Sequence, residues 1–182
     1  MDLLYPRLVA GGAKARVVTL ASTAHTFGAI DLDDLHYGKG RTYAPWAAYG
    51  QSKLANILFA KGLANRLKAD GHADKVTSVS LHPGVIRTNL WKETPVKIGI
   101  VAWLSDRLIM DKSIPQGAAT TIWAALAPNV DSLPQGSYLS DCAVATLKVP
   151  QALDEDLVAT FWKQTAQQIK TALSKAAAAC QQ

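Results

Sequence analysis

The stretch Arg16-Val17-Val18-Thr19-Leu20-Ala21-Ser22 is β-branched and apolar at successive positions, not at alternate ones. A strand apolar on both faces belongs in a parallel sheet covered on both sides, because a sheet wetted on one face shows apolar–polar alternation. That one feature commits the chain to helices packed above and below. A parallel neighbour also needs a long crossover, and the sequence supplies one. From Trp46 to about Lys68, Leu54, Ile57, Leu58, Leu63 and Leu67 recur on the apolar side of a helix that Asp70-Gly71 stops. Lys75 to Leu81 then reads as a second strand, broken at His82-Pro83-Gly84.

The remaining segments extend this alternation. Residues 1–12 read as the end of a helix and 25–45 as loop, with Asp31, Asp33 and Asp34 forming an acidic patch. Residues 91–112 read as a weaker apolar helix carrying Trp91, Trp103, Leu104, Leu108 and Ile109. Gln116 to Leu126 is a further helix, opened near Ser113 or Pro115, and Gly136 to Leu139 a brief strand. Asp154 to about Lys175 is a final amphipathic helix with an Ala-rich, frayed tail. The order implies an α/β fold with a parallel sheet.

The 182 residues, 49% hydrophobic and 18% charged, suit one domain with one core and exclude collagen-like or disordered chains. The net charge of +5 is spread between apolar segments. Nucleic-acid binders gather such charge into a stripe, so no nucleic-acid partner is expected. Cys142 and Cys180 match neither a metal spacing nor a disulfide framework and read as reduced thiols. No stretch is long and apolar enough to span a bilayer, and the start carries no leader, so the expectation is a soluble, cytoplasmic protein.

Chemistry concentrates at three places. Tyr49 and Lys53, in Tyr49-Gly50-Gln51-Ser52-Lys53, share a helix face one turn apart. An ammonium beside a phenol favours the phenolate, which makes a tyrosine usable as an acid or base near neutrality. The same spacing also suits a solvated helix face. Ser22 ends the first strand, on the edge where open parallel sheets carry their sites. Its hydroxyl could donate to a substrate carbonyl as charge builds there, or simply cap local backbone. Pro83-Gly84 ends the second strand on the same edge, followed by Thr88. A glycine there lets backbone approach a flat ligand, although Pro-Gly is also a common turn pair. His25 and His82 flank these positions with no metal partner and read as local hydrogen-bonding residues.

These segments, in this order, resemble the short-chain dehydrogenase/reductases, nearest the branch of retinol dehydrogenases and WW-domain oxidoreductases. The likeness rests on Arg16–Ser22, on Tyr49-Gly50-Gln51-Ser52-Lys53-Leu54-Ala55-Asn56 and on Leu81-His82-Pro83-Gly84-Val85-Ile86-Arg87-Thr88. It implies a Rossmann-like, three-layer α/β/α fold in a single partial domain over 1–182, with 176–182 as a flexible tail. It implies hydride transfer between NADP(H) or NAD(H) and an alcohol/carbonyl pair. Tyr49 would be the acid/base, Lys53 would activate it and hold the nicotinamide ribose, and Ser22 would polarise the substrate oxygen. Pro83, Gly84, Val85 and Ile86 would line the nicotinamide, with Thr88 near the carboxamide or pyrophosphate. A sugar-nucleotide epimerase shares Tyr-x-x-x-Lys, but the short C-terminal part and His-Pro-Gly speak against one.

The sequence also departs from that family. The glycine-rich Thr-Gly-x-x-x-Gly-x-Gly turn that seats a pyrophosphate on a helix N-terminus has no counterpart, nor has Asn-Asn-Ala-Gly. The Leu-Leu-x-Pro stretch stands at Leu3-Leu4-Tyr5-Pro6. The expectation is a chain truncated on its N-terminal side that binds nicotinamide cofactor poorly by itself, with the Val17–Leu20 strand as an open sheet edge. The rival reading is a catalytically incompetent relative acting as an interaction module. The 91–112 segment suits an apolar substrate, and Phe59, Leu63 and Leu67 suggest homodimerisation through the Tyr49 helix.

Overall fold

A computed structural model of the chain describes residues 4–11, 14–86 and 112–179. The expected 91–112 helix and Thr88 lie outside the described residues, apart from Lys112 and the ends of the flanking elements. The first short helix, α1 (Tyr5–Ala10), leads into strand β1 (Ala15–Leu20) and a 3-10 turn over Thr23–Phe27. The long helix α2 (Pro45–Ala69) starts on a proline at its first position, where a missing N–H leaves nothing unsatisfied. Strand β2 (Val76–His82) follows and is buried along its whole length.

Helix α3 (Ile114–Leu126) opens on Ser113 in a capping box with Gln116, so the N-terminal signal near Ser113 is where the sequence suggested. Two short strands, β3 (Tyr138–Ser140) and β4 (Ala143–Val144), precede α4 (Pro150–Leu153) and the last helix, α5 (Glu155–Ala179). The Ala-rich residues 176–179, read from sequence as a frayed tail, continue this helix.

The sheet order is β1-β2-β3-β4, with β1, β2 and β3 parallel. The expected parallel sheet is present in β1–β3, and the two-residue β4 adds an antiparallel edge to β3. The turn between them puts Asp141 and Cys142 at positive φ (52° and 56°), a reversal too short for a helix. Side chains of β2 alternate between the two helical layers. Val76 packs with Leu63 and Leu67 of α2, and Ser78 Oγ donates to the Ala60 carbonyl at 2.8 Å. Val79 and Leu81 face the other way, onto Ala124 of α3. Both crossovers therefore step in one direction over opposite faces, so they have opposite hands, and one of them departs from the right-handed rule.

The core sits mainly on the α2 side. Leu54, Ile57 and Leu58 pack with Val158 and Phe161 of α5 and with Tyr138. The apolar residues proposed above for a dimer face are used inside the chain. Leu63 and Leu67 are fully buried, and Phe59 stacks on Trp162 of α5 with centroids 5.7 Å apart. No helix among the described residues is long and apolar enough to cross a membrane.

Candidate active site

Parallel strands put their carboxyl ends on one rim, and in this sheet that rim gathers the residues singled out above. Ala21 N donates to Leu81 O at 2.7 Å, carrying the β1–β2 ladder to the strand end. Ser22 stays extended (φ −159°, ψ 159°) and caps the 3-10 turn, its Oγ accepting from Ala24 N at 3.2 Å. The backbone-capping role allowed by the sequence is thus real. It uses a lone pair of the hydroxyl and leaves its proton available to donate.

The 3-10 turn is docked on α2 at Gly50. A Cβ at Gly50 would lie 2.8 Å from the Ala24 carbonyl oxygen and 2.9 Å from the Gly28 nitrogen. Tyr49 is therefore one residue from the contact that joins the Ser22 turn to the helix. Its ring lies edge-on to Trp46 at 6.3 Å and is 39% exposed, so the phenol is accessible from outside.

Lys53 lies on the same helix face as Tyr49. Its Nζ lies 5.4 Å from the centre of the Tyr49 ring and donates to the Leu20 carbonyl at 3.5 Å. Asn56 Nδ2 donates to the same oxygen at 2.8 Å. A solvated lysine would point away from the sheet. This one is turned onto the end of β1, two residues before Ser22, with its charge beside the tyrosine ring. Ser22, Tyr49 and Lys53 thus share one rim.

At the end of β2, Gly84 has φ +94°, a conformation L side chains rarely adopt. A Cβ there would also meet Lys112 Cδ at 2.4 Å and Nζ at 2.7 Å. The glycine is needed for intramolecular reasons, and its open side carries the Lys112 stem. Lys112 in turn pairs with Asp141. Ile86 forms a parallel bridge with Lys112, and its side chain fills the space beside Gly117. Pro83, Gly84, Val85 and Ile86 are all half-buried.

Two buried groups behind the rim are held neutral. Burial pushes the Tyr138 phenol up to about 12. Burial, helped by the nearby Lys112 charge, lowers His82 below the usual histidine value. Among the described residues no cluster of His, Cys, Asp or Glu could hold a metal ion.

No family model matches the chain. Individual relatives do. Short-chain dehydrogenase TIC 32 A, chloroplastic, of Brassica napus is 36% identical over 154 residues, 83% of this chain and 46% of that protein. Polyprenol dehydrogenase of Mus musculus is 41% identical over 167 residues, 88% of this chain and 47% of that protein. Retinol dehydrogenase 14 of Homo sapiens is 34% identical over 161 residues, 85% and 44% of the two chains. The chain belongs to the short-chain dehydrogenase/reductase family. It spans about half the length of the curated relatives it matches. A crystal structure of an uncharacterized protein from Mycobacterium paratuberculosis superposes with a TM-score of 0.60 at 31% identity, covering 85% of this chain and 50% of that one.

Lys53 and Tyr49 present an ammonium and a phenol on one face of α2, 5.4 Å apart from nitrogen to ring centre. The described residues contain no glycine-rich turn at a helix N-terminus for a pyrophosphate. Three contributors escaped the sequence reading as individuals. Asn56 sits three residues after Lys53 and so on the same helix face, a spacing that could have found it. Lys112 and Asp141 carry no such signal, because their pairing depends on how β3 and the α3 start meet.

Proposed function

We propose that the rim formed by Ser22, Tyr49 and Lys53 is the proton-handling half of an oxidoreductase site acting on an alcohol/carbonyl pair. The observation that carries this reading is Lys53, whose ammonium donates to the Leu20 carbonyl at the strand end and lies 5.4 Å from the centre of the Tyr49 ring. The cofactor is NADP(H) or NAD(H), which supplies or accepts the hydride. Tyr49 Oη gives a proton to the carbonyl oxygen in reduction and takes one from the alcohol in oxidation. Ser22 Oγ, its lone pair engaged by Ala24 N, directs its proton at the same substrate oxygen as charge builds there. Lys53 holds ribose hydroxyls beside the Tyr49 ring. Pro83, Gly84 and the backbone of Val85 and Ile86 flank the nicotinamide position. An apolar alcohol or carbonyl compound is the substrate class.

The test is nicotinamide absorbance at millimolar cofactor with a panel of apolar alcohols and aldehydes. The wild-type chain turns over, and Tyr49→Phe loses about a hundredfold or more of that rate, the scale of general acid–base catalysis. Unchanged turnover in the Phe variant removes Tyr49 from the mechanism. Cofactor affinity is weaker than micromolar, since no pyrophosphate seat is present in the sequence, and micromolar binding in a titration refutes that point.

A second reading is supported by β1, whose outer edge pairs with no strand among the described residues. On it the chain is catalytically silent and acts as an interaction module through that edge. No turnover with any cofactor, together with edge-dependent association, favours this second reading.

A further inference from the structure

The peptide bond that follows Ser22 is gripped from both sides by a histidine. Its carbonyl, Ser22 O, lies 2.6 Å from His25 Nδ1 and also accepts from the His25 backbone N–H at 3.1 Å. Its N–H, on Thr23, donates to His82 Nδ1 at 3.4 Å. The two rings arrive from different elements, His25 from the 3-10 turn and His82 from the last position of β2. Both are buried, at 4% and 7% exposure. We propose that His25 and His82 are positioning residues that clamp this peptide plane and thereby aim the Ser22 hydroxyl. The inference rests on the reading of Ser22 given above and adds to it the residues that hold the serine in place.

Hydrogen-bond chemistry fixes the proton on each ring. A carbonyl oxygen brings no proton, so His25 Nδ1 carries one. The Thr23 amide brings its own, so His82 Nδ1 is bare and the neutral ring carries its proton on Nε2. The two histidines therefore adopt opposite tautomers, each complementary to one end of the peptide dipole. Flipping the plane would set N–H against N–H at one ring and oxygen against lone pair at the other.

The plane so held keeps Ser22 at ψ 159° and places Ala24 N for its bond to Ser22 Oγ. With that lone pair occupied, the hydroxyl proton is kept off the Ala24 N–H direction and takes one of the two remaining staggered positions. Without the clamp the hydroxyl could turn back on the turn's own carbonyls, as Thr26 Oγ1 does on Thr23 O at 2.8 Å.

The surroundings of each ring suit the assignment. Tyr138 meets His25 edge-on with centroids 5.1 Å apart and fixes its plane. Among the described residues, Lys112, Asp141 and His25 are the charged and titratable groups that act on His82. The cation of Lys112 opposes protonation of the ring and the Asp141 carboxylate favours it, while burial keeps it neutral. A protonated His82 would present a donor to the Thr23 donor, and the clamp would open as pH falls.

The experiment reads the tautomers directly. Long-range nitrogen–proton correlation spectra of the wild-type chain are recorded from pH 8 to pH 5, with amide exchange at Thr23 followed in wild type, His82→Phe and His82→Asn. The Asn carbonyl stands where Nδ1 does and does not titrate. Wild type shows a protonated Nδ1 on His25 and a bare Nδ1 on His82. Thr23 exchange speeds up about tenfold in His82→Phe, the scale of one lost hydrogen bond. His82→Asn restores protection and removes its loss at low pH. Where the chain turns over, His82→Phe lowers kcat more than KM and His82→Asn recovers it. A protonated Nδ1 on His82, unchanged Thr23 exchange in His82→Phe, or full kcat in that variant overturns the clamp. A wild-type chain with the expected tautomers but no turnover sinks the hydride-transfer reading and leaves the clamp standing.

Discussion

Gly28 and Gly50 lie backbone against backbone. A Cβ at Gly28 would come within 2.2 Å of the Gly50 carbonyl carbon and oxygen. Neither atom belongs to a side chain that can swing aside, so the turn carrying Ser22 would have to lift from α2. We predict that Gly28→Ala and Gly50→Ala each destabilise the chain by about 1–3 kcal/mol, the range for overfilling a packed contact. The double variant should cost less than the sum, because the first methyl already separates the surfaces the second would strike. Denaturant unfolding of the four chains measures this. A neutral alanine at either position contradicts the contact.

Arg16 grips Asp131 with two nitrogens, Nε and Nη2, each 2.9 Å from a carboxylate oxygen. Thr77 Oγ1 adds a third bond at 3.2 Å, and Arg16 Nη1 reaches the Ala124 carbonyl, also at 3.2 Å. The pair thus ties β1 to the end of α3. The guanidinium holds the Asp131 carboxyl below its usual value of 3.8. A depressed folded value means that the stabilisation is complete above the unfolded value and is lost as pH falls through the folded one. Asp131→Asn should therefore cost about 1.5–3 kcal/mol at pH 7, the worth of hydrogen bonds to a charged group. Unfolding curves of the two chains should converge as pH drops below about 3.8. A gap that persists unchanged at pH 2 would show that charge plays no part in it.

How much of this site could be read from the chain depends on the range of the interaction concerned. The Tyr49–Lys53 face follows from helix geometry alone, and the run of β-branched residues before Ser22 gave the strand. The α3 start lies at Ser113, one of the two positions, Ser113 or Pro115, that the sequence offered. What stayed hidden depends on contacts across the sheet. Gly28 meets Gly50 only once the turn docks on α2, and His82 meets Thr23 and Lys112 meets Asp141 only once the strands are in register. Lys53 was readable as a neighbour of Tyr49, but its bond to the Leu20 carbonyl was not. The antiparallel β4 is two residues long, and no periodicity can be read from two residues.

The open side of β1 gives the last prediction. Ala15 N donates to Lys75 O at 2.9 Å and Ala21 N to Leu81 O at 2.7 Å, so odd-numbered residues of the strand bond to β2. In a parallel ladder the alternate residues then direct their N–H and C=O the other way. Arg16, Val18 and Leu20 therefore present backbone groups at the edge, and of these the Leu20 carbonyl is covered by Asn56 and Lys53. Such an edge recruits other strands unless something blocks it. Proline at 18 removes an outward N–H and spares the ladder, whereas proline at 19 removes one that faces β2. Val18→Pro should fold and show less concentration-dependent association in light scattering than wild type. Thr19→Pro should be strongly destabilised, since its N–H is a ladder donor. If Val18→Pro associates as readily as wild type, another surface drives association. If the two prolines are equally tolerated, the outward direction assigned to Val18 is wrong.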